Sequence, residues 1–371
     1  MLLKNWLAPV QQMLVDQARN AGEGHFGSSV ALHDENSFPD LPKGSIALIG
    51  FDDKAADLVR SELYLLSFPF GKCRVADLGN LRRENDSFVI PLLKELLQGK
   101  VLPILIGKEA ERLRALFMAE LQLLRSLKLA LIDERMALLE KDPRTGKKGY
   151  LEDIGQLPPE KLFHLSLLGI QGHFLSPRQF DWLEKQGFDI MRLGAMREDI
   201  TRAEPLLRDA DLLAFHLSAL KMGEAPGVKC ATPNGLYAEE ACQLARYAGM
   251  SDKLTAFSLF GLNPPLDRAN QTAQLAAQII WYFIEGIHRR VKDYPYSTSQ
   301  MTEYIVPLPQ KNLQLSFWKS EKSGRWWLQI PLHTQQAEER HRLIPCSYQD
   351  YVEAGSGELP DTIWKWLNKS K

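Results

Sequence analysis

The stretch Asp211-Leu212-Leu213-Ala214-Phe215-His216-Leu217 (DLLAFHL) is apolar almost throughout and does not alternate with polar residues. A strand with one wet face would alternate, whereas a run of this kind suits a strand covered by helices on both faces, as in a parallel sheet. Helical spacing of apolar residues follows it over Ala238–Ala248. The same succession recurs along the chain. Ser45–Gly50 (SIALIG), Cys73–Leu78, Val101–Ile106 (VLPILI), Lys128–Asp133 (KLALID), His164–Ile170 (HLSLLGI), Gly187–Leu193 and Thr255–Leu262 also read as strands. Ala55–Leu66, Phe88–Gln98, Ala110–Leu127, Arg178–Gln186 and Ala269–Ile287 carry the helical period. Strands alternating with helices are the mark of βαβ units. The expected fold class is α/β, a three-layer sandwich around a mostly parallel eight-stranded sheet.

At 371 residues the chain has room for one large α/β domain and an appendage. Residues 1–43 read as an N-terminal helix and lead-in, 44–292 as the α/β domain, and 293–371 as a Trp-rich, β-containing extension. The marks of the two boundaries are the Pro-bearing Leu41–Gly44 and the segment Tyr294-Pro295-Tyr296-Ser297. In the extension, Glu303–Leu308, Leu313–Lys319 and Arg325–Leu332 alternate as strands do, separated by turn residues. Five of the eight tryptophans (Trp318, Trp326, Trp327, Trp364, Trp366) lie there. They read either as the extension's own small core and its glue to the main domain, or as a partner-binding face.

Lys plus Arg number 45 against 46 Asp plus Glu, a net charge of -1 that supplies no field to draw in nucleic acid or an anionic membrane. The four cysteines (Cys73, Cys230, Cys242, Cys346) lack C-x-x-C spacing and read as buried thiols. The start, MLLKNWLAPVQQMLVDQARN, is broken by Asn5, Gln11, Gln12 and Asp16 and reads as an amphipathic helix, which makes a cytoplasmic protein the expectation. Gly22-Glu23-Gly24-His25-Phe26-Gly27 spells G-x-G-x-x-G but follows a helix where a dinucleotide fingerprint needs a strand, so it reads as a loop. The basic run Lys141–Tyr150 reads as a solvated loop, with a second reading as a pocket rim because it follows a strand end.

The strand ends, taken in order, resemble the ureohydrolases: arginase, agmatinase and formimidoylglutamase. Ile46-Ala47-Leu48-Ile49-Gly50-Phe51-Asp52 fits that family's first strand and turn, and Asp77-Leu78-Gly79-Asn80 resembles its Asp-Leu-Gly-Asp. Val101–Gly107 looks like the strand that leads to Gly-Gly-Asp-His-Ser. Ala214–Gly227 lies over Ser-Phe-Asp-x-Asp-x-x-Asp-Pro-x-x-x-Pro-Gly, with Phe215, Ala225, Pro226 and Gly227 in register. Pro233-Asn234-Gly235-Leu236-Tyr237 and Leu262-Asn263-Pro264 complete the series, which spans roughly residues 44 to 290.

The resemblance implies a pair of manganese ions held by two His and four Asp, activating a water for attack on a guanidino or formimino carbon. Carried over residue by residue, the ligand set fails. The first His falls on Ala110; in the next stretch the Asp is kept as Asp133, while the His becomes Arg135 and the second Asp becomes Ala137. The last two aspartates become His216 and Ser218, and the Glu that pairs with a cationic substrate falls on Gly261. No manganese or other cofactor is therefore expected. Asp133 and Arg135, two apart at a strand end, are expected to pair, so that Asp133, Arg135, His216 and Ser218 form a metal-free polar cluster. Three functions stay open: a non-hydrolytic ureohydrolase relative used for ligand binding, regulation or assembly; a divergent hydrolase of amidine or guanidino C–N bonds; and a partner-binding protein working through its Trp-rich tail. For the hydrolase, the candidate catalytic residues are His216, Asp133 and Glu109, with Glu134 as a further carboxylate, although Glu109 and Glu134 also read as exposed loop charges. The expected partners are a small molecule at the strand carboxyl ends and, by the resemblance, further copies of the chain.

Overall fold

The computed structural model describes residues 3–110, 113–124, 126–136, 138–141, 149–155, 161–293, 298–308, 313–329 and 343–360. In chain order the strands are β1 (Leu7–Ala8), β2 (Ala31–Leu32), β3 (Ile46–Gly50), β4 (Val75–Leu81), β5 (Leu102–Ile106), β6 (Leu127–Ile132) and β7 (Leu162–Ile170). They continue with β8 (Asp189–Arg192), β9 (Leu212–His216), β10 (Ala256–Phe260), β11 (Met301–Leu308), β12 (Leu313–Ser320), β13 (Trp326–Gln329) and β14 (Leu343–Cys346).

All eight strands expected of the α/β unit are present, as β3 to β10, in the order β4-β3-β5-β10-β9-β6-β7-β8 with parallel pairing. The sheet nevertheless has ten strands, because the N-terminal segment adds two. β1 lies antiparallel to β4 and β2 parallel to it, two residues each. Pieces this short have no periodicity to read, and they cap an edge that would otherwise expose unpaired backbone groups.

Successive residues of each strand point to opposite faces, and both faces are dry. Ile46, Leu48, Ile104, Ile106, Leu213 and Phe215 belong to one buried cluster. Their neighbours Ala47, Ile49, Leu105, Leu212 and Ala214 belong to the other. This is why the strands read as unbroken apolar runs. The helices Asp53–Leu63, Ala238–Gly249 and Gln271–His288 cover the first face. Asp86–Gln98, Leu113–Leu121 and Pro177–Gln186 cover the second. The helix Pro177–Gln186 shows its stops plainly: Ser176 and Gln179 form a capping box, and Gly187 closes the other end in the left-handed region. The expected strand Gly187–Leu193 is trimmed to β8, since Leu193 starts a short helix. Gly22–Gly27 is the loop expected, with Phe26 opening a helix of one turn.

The extension forms a separate antiparallel sheet, β11-β12-β13-β14. Its fourth strand and the helix Tyr348–Gly355 were not expected. Trp326 and Trp327 are buried, as the core-and-glue reading requires. The glue is Arg208, on the helix Ala203–Asp209 of the main domain: its guanidinium lies 4.4 Å from the Trp327 ring centre and donates to the Trp326 and Cys346 carbonyls. Trp364 and Trp366 lie outside the described residues. Burial holds for Cys242 and Cys346 but not for Cys230, which is exposed, or Cys73, which is half-buried. No helix among the described residues is long and apolar enough to cross a membrane.

Candidate functional site

β5, β10, β9 and β6 lie side by side, so the residues that follow their carboxyl ends meet in one place. Ligands of open α/β sheets bind in this position. After β5 comes Ala110, after β10 Gly261, at the end of β9 His216 and Ser218, and after β6 Asp133.

Asp133 is 1% exposed and its carboxylate is densely bonded. Oδ1 accepts the Glu134 backbone N–H at 2.7 Å and the Ser218 hydroxyl at 2.7 Å, and Oδ2 accepts the Tyr150 hydroxyl at 2.6 Å. Three of the roughly four acceptor positions of a carboxylate are thus filled. Ser218 Oγ also lies 2.7 Å from His216 Nδ1. It has one hydrogen for two acceptors, and the charge-assisted bond to Asp133 is the stronger. With that hydrogen given to Asp133, the 2.7 Å contact is a hydrogen bond when His216 Nδ1 carries the hydrogen and donates to Ser218 Oγ. The result is a chain running Tyr150, Asp133, Ser218, His216.

Arg135 is not the partner of Asp133 that the sequence suggested. β6 ends at Ile132, and residues 133–136 leave the strand, so the rule that places residues two apart on one side no longer applies. Arg135 Nε instead donates to Glu134 Oε1 at 3.0 Å, and its guanidinium lies 4.6 Å from the Phe174 ring centre. Glu134, read either as a site carboxylate or as an exposed loop charge, is fully buried, and its Oε2 accepts the Thr232 hydroxyl at 2.8 Å. A buried carboxylate requires such partners. Glu109 is half-buried, 4.0 Å from Lys108. Ala110 is buried in the apolar cluster beside the Asp86–Gln98 and Leu113–Leu121 helices. Ala137 lies outside the described residues.

Gly261 has φ +106°, and a Cβ there would stand 3.1 Å from His216 Cε1 and 3.2 Å from the Leu217 nitrogen. The His216 ring therefore occupies the space a side chain at 261 would need. Two sites the sequence reading missed are Tyr150 and Thr232. Tyr150 ends the basic run that was given a second reading as a pocket rim, and its hydroxyl reaches Asp133; residues 142–148 of that run lie outside the described residues. Thr232 carried no signal.

These residues do not fit a manganese pair. Asp133 has its oxygens turned to Ser218, Tyr150 and the Glu134 amide, and no group of three or more His, Cys, Asp or Glu among the described residues is placed to hold a metal ion.

The parallel sheet with helices on both faces is an arginase-like α/β fold. The family model described as the Arginase family matches residues 151–285. Formimidoylglutamase of Streptococcus pyogenes serotype M6 is 28% identical over 151 residues, and that of serotype M1 matches to the same extent. Each alignment takes in 38% of this chain and 45% of the relative, so the chain spans less than half the length of these curated relatives. Among solved structures, formimidoylglutamase from Bacillus subtilis superposes with a TM-score of 0.59 at 17% identity, over 76% of this chain and 100% of that one. Trypanosoma cruzi formiminoglutamase, solved with manganese, gives 0.58 at 16%, over 68% and 100%. Arginase from Bacillus subtilis gives 0.53 at 16%, over 64% and 98%. At these identities the structures speak for the fold alone. Residues 151–285 are thus similar to the arginase family, and the fold is arginase-like.

Proposed function

We propose that this chain is a non-hydrolytic ureohydrolase in which a hydrogen-bonded network takes the place of the metal centre, and that it serves as a ligand-binding or regulatory protein. The observation that carries this reading is that hydrogen bonds from Ser218, Tyr150 and the Glu134 amide already engage both oxygens of Asp133. A pair of divalent cations needs several carboxylates to offset its charge, and without one no bound water is brought to a nucleophilic state at neutral pH. Gly261 supports the same reading, because His216 blocks the position of the family's substrate-binding Glu. The partners that go with this reading are a small molecule at the strand carboxyl ends and further copies of the chain.

A hydrolytic second reading rests on the 2.7 Å contact of His216 with Ser218, a base beside a hydroxyl. Against it, the Ser218 proton is directed to Asp133, and the side chain is buried. The two readings part in one assay: purified chain with and without manganese, offered formimidoylglutamate, agmatine and arginine, with formamide and urea measured. No product above the uncatalysed rate is expected. Turnover that survives chelation and is lost in Ser218→Ala would establish the hydrolytic reading, and manganese-dependent turnover would overturn both.

A further inference from the structure

At the opposite edge of the sheet, where β3, β5, β9 and β10 begin, lies a cavity of about 850 Å³. That is within the usual range of small-molecule sites, about 300–1,000 Å³. Leu343 of β14 lines it together with Leu102, Leu124 and Ile287, so the extension supplies part of its apolar wall.

Its charges are unevenly satisfied. Asp211 accepts the Lys128 amide at 2.9 Å and lies 3.8 Å from Lys253. Glu120 accepts the Thr255 hydroxyl, and Asp252 accepts the Asp293 amide at 3.0 Å. The cations Lys43, Lys100 and Arg290 are different: none is paired with a carboxylate of the described residues. Arg290 donates only to backbone, from Nε to the Gly249 carbonyl at 2.9 Å and from Nη2 to the Leu254 carbonyl at 3.2 Å. Nη1 is left over. Burial pushes this guanidinium down to about 10, and it remains a cation at neutral pH. Asp252, on the same wall, offsets part of the burial cost through space without a direct ion pair, and an anion reaching the guanidinium would offset more of it.

Lys100 adds an independent sign. It follows the helix Asp86–Gln98 with φ +56°, in the left-handed region where a helix end favours glycine. A side chain held there costs about 1 kcal/mol, and such strain is a pointer to function.

We propose that this cavity binds a small amphipathic anion, an apolar body bearing a carboxylate, phosphate or sulfonate, with Arg290 as its anchor and Lys100 at its mouth. The site is separate from the strand carboxyl ends and does not depend on what happens there.

The test uses the full chain and 8-anilinonaphthalene-1-sulfonate, with native near-ultraviolet circular dichroism confirmed. One saturable site per chain is expected, displaced by dodecanoate and not by the neutral dodecanol. Arg290→Gln weakens binding by about ten-fold or more, the loss of one charged hydrogen-bond anchor. Lys100→Gly weakens it several-fold while keeping or raising the melting temperature, which guards against a folding artefact should Arg290→Gln misfold. Ser218→Ala leaves binding unchanged. Absence of a stoichiometric site, equal displacement by dodecanol, indifference to Lys100→Gly, or equal loss in Ser218→Ala would each overturn the proposal.

Discussion

Replacing Ser218 by alanine removes one hydroxyl from a carboxylate that is almost wholly buried. Asp133 keeps the Tyr150 hydroxyl and the Glu134 amide, so it stays bonded but loses one of three donors. A hydrogen bond to a charged group contributes about 1.5–3 kcal/mol. For 371 residues the unfolding entropy is about 0.8 kcal/mol/K, from roughly 2.1 cal/mol/K per residue, so Tm falls by about 2–4 °C. The single variant confounds lost packing with the lost bond, and a double-mutant cycle with Asp133→Ala separates them. Calorimetry of the four proteins should give a coupling of about 1.5–3 kcal/mol between the two positions. A coupling below about 0.5 kcal/mol would refute the closed network, because it is the value of an exposed, water-competed contact.

Arg60 is fully buried and bonds Asp77, Asn80, Asp57 and the Gly79 carbonyl, so Arg60→Met leaves the buried Asp77 carboxylate without its counter-charge and costs about 3–5 kcal/mol, read as a drop in the urea midpoint. Gly261→Ala is expected to destabilise by about 1–3 kcal/mol through its positive φ and its contact with His216, and His216→Ala should relieve part of that cost in the double variant. Lys128 is buried beside Asp209, and burial pushes its ammonium down to about 8. The unfolded chain then binds more protons between pH 8 and the ordinary lysine value of about 10.4, so this group makes stability rise with pH across that window. Lys128→Met should flatten the rise in urea titrations from pH 7 to 10.

The fold was legible because each central strand is buried on both faces, which makes DLLAFHL and KLALID unbroken apolar runs. What escaped was local: β1 and β2 are two residues long, and β14 is a short strand whose pairing is set by β13. At the site, Ala110, His216, Ser218 and Gly261 could be named one by one from the resemblance, but their contacts could not be read. The expected Arg135–Asp133 pair assumed that the strand ran three residues further than it does, through Arg135 instead of ending at Ile132. Once the backbone turned after Ile132, Arg135 met Glu134, and Asp133 was met instead by Ser218, in the turn after β9, and by Tyr150, seventeen residues on. Those partners are set by tertiary packing, which no spacing rule encodes.

The most direct measurement is the manganese content of the chain, purified after growth in manganese and dialysed against the same metal, by elemental mass spectrometry with a thermal melt in parallel. An Asp133 whose two oxygens are both engaged by protein donors predicts well under one ion per chain and a melting temperature indifferent to the metal. Two ions per chain, with a metal-dependent rise in melting temperature abolished by Asp133→Ala, would contradict it.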